Sequence, residues 1–116
     1  MEYINAIEIQ GVTGQFATAI HHAGEPIGIK FEVATETRYK IGDKPVVETM
    51  WHTVKVLTLP GTRTAGFTFR KAAPIHVRGR LAFKSAGSDP ETGIPVFRNV
   101  TVEASSAEYL DEKKEG

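Results

Sequence analysis

Hydrophobic and polar residues alternate along much of the chain. From Ile29 to Tyr39, Phe31, Val33, Thr35, Thr37 and Tyr39 point one way, and Glu32, Ala34, Glu36 and Arg38 the other. A period of two is the signature of a strand with one covered face. The pattern returns from Val46 to Leu57, where Met50, Val54 and Val56 oppose Trp51, Thr53 and Lys55. It returns again from Ile75 to Lys84, with Ile75, Val77, Leu81 and Phe83 on one face and His76, Arg78, Arg80, Ala82 and Lys84 on the other. Two further β-favouring runs are Ile4–Val12, which closes on Gly11-Val12-Thr13-Gly14, and Ile94–Ala104. Turn formers separate the runs: a loop through His21–Pro26, a hairpin turn at Ile41–Pro45, and a loop at Ala86–Gly93. Pro60, Gly61 and Gly66 break the stretch after Leu57 into a loop with room for one short helical turn. Residues 105–116 are polar and are expected to fray as a short flexible tail, leaving 1–104 as the folded domain.

Five strands in this length, with a break between the third and fourth, predict an all-β, five-stranded Greek-key barrel. The OB-fold is one member of that class. A small sandwich or an SH3-like barrel has the same periodicity.

Composition narrows the function classes. The 116 residues suit one domain with one core. No apolar run approaches the ~20 residues of a membrane span. The opening Met1-Glu2-Tyr3-Ile4-Asn5 has neither the basic region nor the apolar run of a secretory signal. There is no cysteine, which excludes disulfides, a cysteine nucleophile and thiolate metal sites and fits a cytoplasmic protein.

The formal charge is zero, but it is unevenly spread. Residues 1–29 carry three acids and no Lys or Arg, residues 30–84 carry eleven bases against four acids, and residues 85–116 carry seven acids against three bases. A basic middle of this kind is compatible with a polyanion partner. The second face of the Ile75–Lys84 run is a ladder of cations with no acid of its own, and side-by-side like charges repel. An anionic ligand would supply the missing charge. Trp51 lies beside Lys55 on the outward face of its strand. An aromatic beside cations on a sheet face is what a single-stranded nucleic acid needs, because bases stack on rings while phosphates meet the cations. Catalytic motifs are absent: there is no Gly-x-Ser-x-Gly elbow, phosphate loop or His-Glu-x-x-His. His21-His22 is an adjacent pair in a loop and is not read as a metal site. The chain is therefore read as a non-enzyme with no metal or cofactor.

Four segments resemble bacterial single-stranded DNA-binding proteins. Phe31–Tyr39 is similar to that family's phenylalanine-x-aliphatic-alanine-threonine strand. Glu48–Val56 is similar to its tryptophan-histidine strand. Val77-Arg78-Gly79-Arg80-Leu81 resembles its aliphatic-x-glycine-x-leucine strand, and Asn5–Gly11 fits its first strand. The segments keep the family's order across residues 4–104. The resemblance implies an OB-fold that binds single-stranded DNA with little sequence preference, usually as a homotetramer, close to the nucleoid, in replication, recombination or repair. It implies stacking by Tyr39 and Trp51, and phosphate contacts by Arg38, Lys40, Lys55, Arg78, Arg80 and Lys84. The sequence also departs from the family. Ala86 and Leu57 stand where many members have stacking aromatics, and Thr58–Ala73 stands where a helix is usual. The long tail with its acidic tip, which recruits replication and repair proteins in the family, is expected to be missing. A primosome-type OB protein, whose main work is binding other replication proteins, is the alternative. An OB-like subunit for RNA, carbohydrate or protein is a third.

Overall fold

The computed structural model describes residues 1–88 and 90–110, and the side chains of these except 83–88 and 95–99. Five strands appear in the expected order: β1 (Ile7–His22), β2 (Glu25–Ile41), β3 (Lys44–Leu57), β4 (Pro74–Ser88) and β5 (Pro95–Tyr109). They form a closed barrel in the order β1-β2-β3-β5-β4. β4 closes on β1 from Ile7↔Gly79 to Val12↔Pro74. All neighbours are antiparallel except β3 and β5, which run parallel over Thr53↔Thr101, Val54↔Val102 and Lys55↔Glu103.

The core lies on the covered face that the alternation marked, except that Met50 and Leu81, assigned to that face, are exposed. Ile9, Phe31, Val33, Val54, Val56, Ile75, Val77 and Val102 form one buried cluster. Phe67 and Phe69, from the loop after β3, cap it: their ring centroids lie 5.7 and 5.3 Å from that of Phe31. Side-chain hydroxyls hold this loop in place. Thr13 Oγ1 donates to the Arg70 carbonyl at 2.6 Å and accepts from the Ala73 amide at 2.9 Å. Thr64 Oγ1 donates to the Leu57 carbonyl. The loop consists of turns, with no helix among its residues.

The strands run further than the periodicity indicated, β1 and β5 furthest beyond their expected ends. β1 continues past Gly14 to His22. Its pairing with β2 steps from Thr13↔Val33 to Ala17↔Phe31, and the bulge breaks the alternation. The loop expected at His21–Pro26 shrinks to the turn Ala23-Gly24, with φ of 53° and 82°, between the paired His22 and Glu25. Two successive left-handed residues fit the twist of a tight hairpin. β5 continues to Tyr109, five residues beyond the expected boundary at 104. Tyr109 anchors this extension. Its ring stacks on Phe67 at 5.5 Å, its hydroxyl donates to the Thr68 carbonyl at 2.7 Å, and the Arg70 guanidinium lies 4.3 Å from its ring centroid. Of the tail read as flexible, residues 105–109 are thus strand, Leu110 follows, and 111–116 lie outside the described residues.

β2 and β3 keep one register from Gly28↔Leu57 to Ile41↔Lys44. Burial ends well before the turn, so the outer part of this hairpin stands off the barrel with both faces in solvent.

Candidate nucleic-acid interface

Residues directly opposite in an antiparallel pair share a face. On the outer face of the β2–β3 hairpin, Lys30 therefore stands beside Lys55, Glu32 beside Thr53, Ala34 beside Trp51, Glu36 beside Thr49, Arg38 beside Val47 and Lys40 beside Pro45. Trp51 points outward, as its alternation with the fully buried Val54 and Val56 requires, and is 57% exposed. Its ring lies against the β1 bulge: a Cβ built on Gly14 would sit 3.5 Å from Trp51 Cζ3. The neighbouring His52 faces the other way and bonds Thr35 Oγ1 through Nε2 at 2.9 Å.

The predicted residues divide between faces. Trp51, Lys55, Arg38 and Lys40 share the outer face, with Arg38 ion-paired to Glu36 at 3.1 Å. Tyr39 lies opposite Val46 on the other face, which carries Val33 and Thr35. The structure does not bring Tyr39 and Trp51 onto one platform.

The cation ladder of β4 needs a correction. The strand has no acid of its own, but its neighbours supply them. Glu8 on β1 stands opposite Arg78, and its Oε2 lies 2.5 Å from His76 Nε2 and 3.3 Å from Arg78 Nε. The hydrogen bond from His76, and then the charge of Arg78, hold the Glu8 carboxyl below its ordinary pKa. Glu103 on β5 stands opposite Arg80 and receives its guanidinium at 2.8 Å. The acids come from strands 70 and 23 residues away in sequence, so the run itself gave no sign of them. Lys84 pairs through its backbone with Arg98, and its side chain lies outside the described residues, as does that of Ala86.

Two residues of this surface were not singled out from the sequence. Lys30 is exposed and directly opposite Lys55. Phe16, on the β1 bulge, is 83% exposed. With Trp51 it lines an open groove of about 730 Å³. The alternation of β2 already put Lys30 on the face of Glu32 and Arg38, but Phe16 could not be placed without the bulge.

No family model matches the chain. Two curated relatives, UPF0597 proteins from two strains of Clostridium botulinum, are each 33% identical over 96 residues, an alignment covering 78% of this chain and 19% of theirs. The chain thus spans about a fifth of the length of those relatives. Solved structures match along nearly the whole barrel. The SSB of Plasmodium falciparum, in complex with ssDNA, superposes with a TM-score of 0.72 over 96% of this chain and 98% of that one, at 19% identity. The small single-stranded DNA-binding protein of Streptomyces coelicolor superposes at 0.61 over 94% and 95%, at 20% identity. The chain has the OB-fold. Closure in the order β1-β2-β3-β5-β4 excludes the two-sheet sandwich that the periodicity allowed. On this OB barrel, Trp51 and the Lys30–Lys55 pair share the outer wall of β2–β3, and Arg80 lies two strands away across β5.

Proposed function

We propose that this OB-fold chain binds single-stranded DNA with little sequence preference and carries out no reaction. The observation that carries this reading is Trp51: a large exposed ring on the outer sheet face, two residues from Thr53 and four from Lys55 on the same strand. Such a ring serves no core, and stacking of a base on it contributes about 1–3 kcal/mol. Lys55, Arg38, Lys40, Arg78, Arg80 and Lys84 supply cations for the backbone, with Arg78 and Arg80 tempered by their acids. Tyr39, on the reverse of the hairpin, would meet a strand only where it passes around the projecting arm. The roles in replication, recombination or repair, and a location at the nucleoid, follow from the family resemblance.

The same reading includes a homotetramer. β1 pairs with β4 from Ile7 to Val12 and with β2 from Val12 onward. Among the described residues, Ile7–Gln10 therefore has a strand on one side only, an open edge that a second copy can pair with. Light scattering at micromolar concentration is expected to give about four times the chain mass of 12.7 kDa.

The direct test of DNA binding is anisotropy of a labelled oligonucleotide titrated with the protein, as a single strand and as the matching duplex. Tight binding of the single strand alone is expected. Equal affinity for both, or none, would refute the reading.

A further inference from the structure

Between Thr13↔Val33 and Ala17↔Phe31, three residues of β1 face one of β2: Gly14, Gln15 and Phe16 against Glu32. Bulges re-aim side chains, and this one projects Phe16 into solvent. Phe16 makes no ring contact among the described residues and is not part of the core. Its position is nevertheless specific, because it forms one groove with Gln15, Lys30, Glu32, Trp51 and Thr53. At about 730 Å³ the groove is within the ~300–1,000 Å³ of small-ligand sites.

A second observation lies at the rim. Lys30 and Lys55 are directly opposite across β2 and β3, an arrangement that destabilises a sheet. Neither makes an ion pair among the described residues. Glu103, beside Lys55 in the parallel register, is already engaged by Arg80. Lys30 lines the Phe16–Trp51 groove, and Lys55 lines a second cleft with Arg80 and Asn5. One lysine of the facing pair thus lines each depression, and an anion at this register position would relieve the repulsion of two like charges. Inside the groove, Glu32 opposes a phosphate but not a neutral base.

We infer that the groove between Phe16 and Trp51 seats one unpaired base, and that Lys30 and Lys55 together receive the phosphate next to it. The inference rests on the single-stranded DNA reading and adds Phe16 and Lys30 to its contact set. Phe16 supplies a second ring on an OB barrel in which Leu57 and Ala86 replace expected aromatics. The paired lysines give the strand its course from this groove toward Arg80.

The test uses the full chain and a labelled oligothymidine. The wild type is measured first, and if it binds no single strand, both readings fall. With wild-type binding in place, Phe16→Ala is expected to weaken affinity between about 5-fold and about 150-fold, with Phe16→Tyr restoring it. Because Phe16 is exposed, the thermal midpoint of the free protein should not move. One shared phosphate predicts that the Lys30→Ala/Lys55→Ala double variant flattens the log–log salt slope by about 0.7 in all. A flattening of about 1.4 would mean two separate phosphates and overturn the shared site. Unchanged affinity in Phe16→Ala would overturn the base seat while leaving DNA binding by Trp51 intact.

Discussion

Arg80 and Glu103 face each other across β4 and β5, with guanidinium and carboxylate 2.8 Å apart. The contact is exposed, so it contributes about 0.2–1 kcal/mol to stability. Its effect on binding is larger in kind, because it occupies one of the cations that the bare sequence offers to a phosphate. Glu103→Gln should release Arg80 and remove a repelling charge beside Lys55. Single-stranded DNA should then bind up to about 5-fold more tightly, equivalent to the ~1 kcal/mol upper end for such a pair. The salt slope should steepen by up to about 0.7. An isothermal titration series at several salt concentrations measures both, and a variant with wild-type affinity and slope would show that Arg80 does not contribute.

Trp51 is the chain's single tryptophan, so its emission reports on one place. Saturating poly(dT) should quench it strongly. Trp51→Ala should cost about 1–3 kcal/mol of binding free energy, while the melting temperature stays near wild type because the ring is outside the core. Unchanged emission at saturation would place the strand elsewhere on the barrel.

The parts legible in the sequence are those where one face is buried and the register is regular. Phe31 and Val33 on β2, and Val54 and Val56 on β3, fix the inward face, and the outward direction of Trp51 follows from theirs. The β1 extension was hidden by the bulge at Gly14–Phe16, which interrupts the period of two. Gly11 reads like a strand end but serves a close approach, since a Cβ there would sit 2.1 Å from the Ala34 carbonyl oxygen. The neutralising acids were invisible for a different reason. Glu8 meets His76 and Arg78 only through the β1–β4 register, and local spacing carries no information about which distant strands become neighbours. The opposed faces of Tyr39 and Trp51 were legible in each strand's own pattern, since Tyr39 shares the parity of Phe31 and Val33 while Trp51 opposes Val54 and Val56, and the β2–β3 register agrees.

Glu8 makes a testable contribution to acid stability. Its carboxyl is held below the ordinary value of about 4.5 by the hydrogen bond from His76 and the charge of Arg78. A carboxylate depressed in the folded state stabilises the fold fully above its unfolded value, and that contribution is lost as pH falls from there through the folded value. Melting temperatures measured from neutral pH downward should therefore fall more steeply below about pH 4.5 for the wild type than for Glu8→Gln. Parallel curves would mean that the contact adds nothing in solution. The same variant should bind single-stranded DNA more tightly near neutral pH, because Arg78 is freed.

Gly79 sits where β4 crosses close to β5. A Cβ there would lie 2.1 Å from the Glu103 carbonyl oxygen and 2.9 Å from Ala104 Cα, both backbone atoms that cannot rotate aside. Gly79→Ala should cost about 1–3 kcal/mol of stability, the usual range for overpacking. A urea unfolding curve measures it. A midpoint equal to wild type would mean that the two strands separate there without penalty.

The three rungs between β3 and β5 have a mechanical consequence. β1, β2 and β3 follow one another as hairpin neighbours, and so do β4 and β5. The barrel is therefore two ribbons sewn edge to edge, and one of its two stitches is this short parallel seam. Lys55 and Glu103 form its last rung, next to Arg80. A strand laid along the proposed course from Lys55 to Arg80 crosses the seam like a suture. Whatever parts the ribbons releases the strand, and a strand in place holds the ribbons together, so grip and closure become two readings of one equilibrium.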